Sequence, residues 1–121
     1  MNVPTSNHRF IVLDKAIKAA TLILEIVEQV PPDLNDLARQ LRRSATAVPA
    51  NLAEGNGKPI RARRHSWNIA LTEAQEADAE LRMLMGRKAV DLEKAMRAWY
   101  LMDEVRAMTY RLLNPKERSW T

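Results

Sequence analysis

A chain of 121 residues that is 46% apolar is of ordinary single-domain size and can bury a hydrophobic core. It has no cysteine, which excludes disulfides, thiolate metal sites and a cysteine nucleophile. Its net charge of +4 is basic but modest, and no uncharged apolar run reaches the roughly 18 residues that a membrane helix needs. The opening "MNVPTSNHRF" lacks the continuous apolar stretch of a secretory signal. A cytoplasmic protein with no membrane partner is the expectation.

Helical periodicity runs through the whole chain. Phe10, Leu13, Ile17, Ala20, Leu24 and Val27 recur at steps of three and four, and Val12, Ala16, Ala19, Ile23, Ile26 and Val30 form a second stripe beside them. This predicts a first helix over about 9–30, with an apolar face wider than one partner helix covers. Such a helix sits deep in its bundle or has a second partner, another subunit included. Pro31 and Pro32 end it, and Asp33 is the expected N-cap of the next. A second helix over about 33–55 carries Leu34, Leu37, Leu41, Ala45, Val48 and Leu52 inward. "GNGKP" then marks a stop and a loop. A third helix over about 62–85 turns Trp67, Ala70, Leu71, Ala74, Leu81 and Leu84 inward, and Gly86 ends it. Asp91 caps a fourth over about 91–113, with Leu92, Met96, Trp99, Met102, Leu112 and Leu113 on one face and residues 114–121 as a tail. Four helices with short links predict one all-α domain, an antiparallel up-down-up-down four-helix bundle.

Pro49 falls inside the second helix, yet the apolar spacing stays in phase across it. Two separate helices would have little reason to preserve that phase, so a single helix bent at Pro49 is expected. The proline lacks a donor and crowds the carbonyl of Ala45, a cost of about 3 kcal/mol in an unsupported helix. Ser44 and Thr46 are near enough to help satisfy the freed backbone groups.

The stretch "QLRRSATAVPANLAEGNG" resembles the signature of the four-helix-bundle family encoded by intervening sequences in bacterial 23S rRNA genes. Arg42, Arg43, Ser44, Ala45, Val48, Pro49, Asn51, Ala53, Glu54 and Gly55 fall on that pattern, and "IALTEAQEADAEL" in the third helix extends the likeness over most of the chain. Trp67 stands where that family more often has Phe or Tyr. The resemblance implies a fold and an assembly more than an activity. Relatives form left-handed bundles, some of them pentameric rings. One related branch, the accessory variability proteins of diversity-generating retroelements, consists of basic pentamers that bind nucleic acid and partner with a reverse transcriptase.

Charge placement says more than net charge. From Arg39 to Arg64 the basic residues Arg39, Arg42, Arg43, Lys58, Arg61, Arg63 and Arg64 face one acid, Glu54, before the acidic run Glu73, Glu76, Asp78 and Glu80. This predicts a positive zone able to attract polyanions. Arg42, Arg43, Lys58, Arg61, Arg63 and Arg64 are the candidate nucleic-acid contacts, because guanidinium groups offer forked, permanently charged donors to phosphate. On one chain such a patch gives weak, sequence-indifferent binding, but repeated around a ring it becomes multivalent. The competing expectation is a protein-interaction scaffold whose arginines make inter-subunit ion pairs.

Catalytic chemistry finds little support. His8 and His65 lie in no metal-ligand spacing, no Glu-x-x-His pair exists for a di-iron bundle, and "GNGKP" is not a phosphate-binding loop. His65 and Ser66 are sequence neighbours, which do not face each other on a helix. Glu73, Glu76 and Glu80 share a helix face and read as a solvated acidic surface. No enzyme activity, cofactor or metal is expected. Pro49, Asn51, Glu54 and Gly55 read as a structural motif, with Asn51 bonding backbone near the bend. Glu54 is expected to pair with an arginine such as Arg42 or Arg43 of a neighbouring chain.

Overall fold

The computed structural model describes residues 3–5 and 10–115; His8, and the tail over 116–121, lie outside the described residues. Four α-helices make up the fold: α1 (Ile11–Val27), α2 (Asn35–Gly55), α3 (Ile60–Gly86) and α4 (Leu92–Leu113). Each packs on its neighbours in sequence, and α1 closes the ring against α4. Links of a few residues force successive helices to run antiparallel, which gives the expected bundle. No helix among the described residues is long and apolar enough to cross a membrane.

α1 ends at Val27, three residues earlier than its apolar pattern. The amides of Glu28, Gln29 and Val30 bond to Glu25, Ile26 and Val27 three residues back, so the helix tightens before Pro31 excludes Val30 from helical geometry. A 3-10 turn, Pro32–Leu34, then leads into α2, whose N-cap is Leu34 with no side-chain bond. Asp33 therefore does not cap α2. The turn places it outside the helix, where its carboxylate faces Arg87 at 3.7 Å. Asp91 does cap α4, accepting from the Lys94 amide at 3.1 Å.

α2 passes Pro49 without interruption. Leu41, Ala45, Val48 and Leu52 are all fully buried, and each large apolar side chain contributes about 1.5–3 kcal/mol on burial. That stripe outweighs the roughly 3 kcal/mol cost of the proline. The polar support differs from expectation. Thr46 donates to Arg42 O and Asn51 to Ala47 O, each at 2.8 Å, while the Ser44 hydroxyl bonds no backbone group.

Two apolar stripes settle differently from their sequence reading. In α1, Val12, Ala16, Ala19, Ile23 and Ile26 form the core, whereas Leu13 and Ile17 are half-buried and Leu24 is exposed. In α4 the inward stripe is Ala95, Ala98, Met102, Val105, Thr109 and Leu113. Leu92 is exposed and Trp99 half-buried, so the face is rotated by about one residue from the one the large side chains mark. Ala95 and Ala98 take the inward positions in the first half of the helix, and Trp99 lies on the side facing α3 with its indole donating to Asp78.

Candidate nucleic-acid interface

The α2–α3 corner is built around Trp67. Its indole Nε1 donates to Leu52 O at 3.2 Å, the Phe10 ring packs 5.7 Å from it, and the Arg63 guanidinium lies 5.5 Å from the ring centroid. Gly55 is buried directly against this ring: a Cβ there would stand 2.7 Å from Trp67 Nε1 and 3.1 Å from Arg63 O. Only glycine lets α2 finish this close to α3. Gly57 has φ +84°, the left-handed turn that sends the chain into Pro59 and α3.

This corner gathers cations. Lys58 sits in the loop, and Arg61, Arg63, Arg64 and His65 occupy the first turns of α3. Arg64 donates to Leu113 O at 2.8 Å, which satisfies a terminal carbonyl of α4 and brings Arg111 to the same end of the bundle. Lys58 and Glu54, four residues apart across the end of α2, pair at 3.5 Å, so within the chain Glu54 meets a lysine rather than an arginine. Arg61 is exposed, with no ion pair among the described residues. Arg42 and Arg43 are not part of this cluster: Arg43 lies twelve residues before Gly55, about 18 Å along α2. The structure thus splits the sequence-predicted patch into a basic end and a separate pair halfway up the bundle.

Arg43 belongs to a second constellation on the α2–α3 seam. Its guanidinium lies 3.6 Å from Glu73 and 3.8 Å from Glu76. Glu80 is only 8% exposed and Glu73 is half-buried, so the acidic stripe is not the solvated face its polarity suggests. Burial raises the pKa of both carboxyls above the ordinary value of 4.5. Glu76 adds repulsion at each, against a lowering by Arg43. The Ser44 hydroxyl also lowers the Glu80 pKa, yet Ser44 Oγ, Glu80 Oε1 and Glu73 Oε1 close no hydrogen bond of ordinary geometry among the described residues. No group of carboxylates and histidines among the described residues is arranged to hold a metal ion. Ser66 is buried while His65 is exposed, so the two do not face each other.

The family model for 23S rRNA-intervening sequence protein matches residues 8–111. The chain belongs to that family. Among solved structures, the chain is similar to a protein of unknown function from the S23 ribosomal protein family of Bacteroides thetaiotaomicron. The TM-score is 0.75 at 22% identity, covering 86% of this chain and 99% of that one, a likeness of fold. A search of curated proteins finds no match.

The signature stretch of this chain has a physical account residue by residue. Asn51 ties back to the backbone beside Pro49, Gly55 admits Trp67, and Ser44 and Arg43 meet the carboxylates of α3. Sequence reading missed the buried Glu80, the Arg64 cap on α4 and the place of Arg111. The signal for Glu80 was the spacing from Glu73, which sets it on the same seam-facing stripe.

Proposed function

We propose that this chain assembles into a closed homo-oligomeric ring, a pentamer, that binds nucleic acid without base specificity and has no catalytic role. The basic end of the bundle is the binding surface. The observation that carries the reading is the concentration of Lys58, Arg61, Arg63, Arg64 and Arg111 at one end, where Glu54 is the one acid in the loop region. Arg61 and Arg111 are exposed and unpaired among the described residues, free to meet phosphate. A protein that neutralises a few phosphates per chain binds weakly, but copies arranged around a ring act together and raise affinity by orders of magnitude where the strand can reach several of them. The family's description refers to 23S rRNA, which makes RNA the first probe.

A second reading draws on the internal engagement of Arg43, Arg63 and Arg64. In it the protein is an interaction scaffold with no nucleic-acid role, and its arginines serve contacts within and between subunits. One experiment separates the two: the double variant K58E/R61E, with its mass measured by light scattering and its RNA binding by fluorescence anisotropy. The expected result is lost binding at unchanged mass. A fall in mass favours the scaffold, and unchanged binding at unchanged mass removes the basic end as the surface.

A further inference from the structure

The sides of the bundle that flank α2 carry matching features. On α1 the stripe Ile17 and Leu24 lies outside the core, with Leu13 packed against the core's edge; Ile17 also lines a shallow pocket with Val3, Pro4 and Thr5, and Leu24 is 36% exposed. Its place is fixed by the opposite edge of α1, where Lys15 pairs with Glu104 of α4 at 3.3 Å. The stripe therefore lies on the α2 side. On α2, Arg43 faces α3 through Glu73 and Glu76. Arg42, about 100° further round the helix, falls on the α1 side. Arg42 is exposed, and its side chain has no ion pair or hydrogen bond among the described residues. On α3, Ile69, Glu73, Glu76, Glu80 and Met83 recur at steps of four and three, the spacing of a helix-packing seam. Ile69 and Met83 are exposed at its ends, 36% and 52%, and Glu76 stands between them.

We infer that the α1–α2 face bearing Leu24, Ile17 and Arg42 docks against the α2–α3 face bearing Ile69, Glu76 and Met83 of a second copy of this chain. The two faces agree in charge, with a free arginine on one and a carboxylate on the other. They also agree in layout, since each sets its charge between apolar side chains. Antiparallel packing places Arg42 at about the height of Glu76, because Arg43 already reaches that residue, and Leu24 and Ile17 lie above and below. A ring whose axis parallels the helices keeps those heights in register.

The geometry also limits the ring size. A contact between two different faces is heterologous and closes only if the rotation it imposes divides a full circle. Neighbouring faces of a square bundle point about 90° apart, and a ring requires about 90° for four subunits and about 108° for five. A two-fold dimer would pair one patch with its own copy, and opposed faces would give an open filament; the matched pair is neither.

This inference rests on the oligomer reading above, and light scattering distinguishes their failures. The wild-type chain is expected at four to five times the subunit mass of 13.8 kDa. R42E is expected to fall to the monomer with its circular dichroism and melting temperature intact, since Arg42 holds nothing within its own chain. The charge swap R42E/E76R is expected to restore the assembly. A wild-type monomer at every concentration overturns the oligomer reading and this interface with it. An oligomeric wild type whose mass is unchanged in R42E overturns the interface alone. So does a dissociated R42E that the swap does not rescue.

Discussion

Gly55 and Glu80 show how single residues set the α2–α3 packing, in opposite senses. Gly55 works by absence: the missing Cβ is the space that Trp67 fills, and Trp67 is held from three other sides. Gly55→Ala is expected to cost about 1–3 kcal/mol, the usual range for overpacking a fixed contact, read as a lower midpoint in urea unfolding at unchanged slope. Glu80 works against stability at neutral pH. Its carboxyl is buried, its pKa is raised, and Ser44 offsets only part of that. A carboxyl with a raised folded-state pKa binds its proton more tightly in the native than in the unfolded chain. Its destabilising effect is fully present above the folded pKa and disappears as pH falls below the unfolded value of about 4.5. Glu80→Gln is therefore expected to raise the melting temperature at neutral and higher pH, with the gain vanishing in acid. A gain that persists below pH ~4 contradicts the linkage.

Elements are held by their ends as much as by their faces. α4 starts on the Asp91 side chain and finishes under the Arg64 guanidinium. Asp91→Ala is expected to cost about 1 kcal/mol as a lost N-cap. Arg64→Gln is expected to speed amide hydrogen exchange in the last turn of α4 while leaving α2 unaffected. Helix number, order and approximate bounds were legible in the sequence because apolar periodicity is strong and prolines and glycines punctuate it. The inward face of α4 was not, because large side chains draw attention to 92, 96 and 99 while the buried positions in that half of the helix are the alanines at 95 and 98. The acidic stripe of α3 was misread for a related reason. Polarity alone says solvent, and only the facing helix reveals that Glu73 and Glu80 lie under Arg43 and beside Ser44. Asp33 failed as a cap because the 3-10 turn after Pro31 delays the start of α2 by two residues.

At the scale of the molecule, the cations cluster more tightly than the exposed apolar side chains, some of which, such as Ile60 beside Arg61, share the basic end. Cations concentrate at the end where α2 meets α3 and α4 finishes, while three of the exposed apolar side chains, Leu24, Ile69 and Met83, lie along the sides that flank α2. On the proposed reading the side meets a neighbouring subunit and the end meets a polyanion, so the two would not compete for one surface. In the proposed assembly the split of the basic patch matters, because it would leave Arg42 for the subunit contact and Arg61 and Arg111 for phosphate. The most direct test is an anisotropy titration of RNA and DNA, single-stranded and duplex, over a series of salt concentrations, using protein whose mass is fixed by light scattering. Binding to every sequence tried is expected, with log affinity falling against log salt by several times the roughly 0.9 that each phosphate contact contributes on duplex DNA. No binding at low salt by an intact oligomer would contradict the account and leave the arginines as structural contacts.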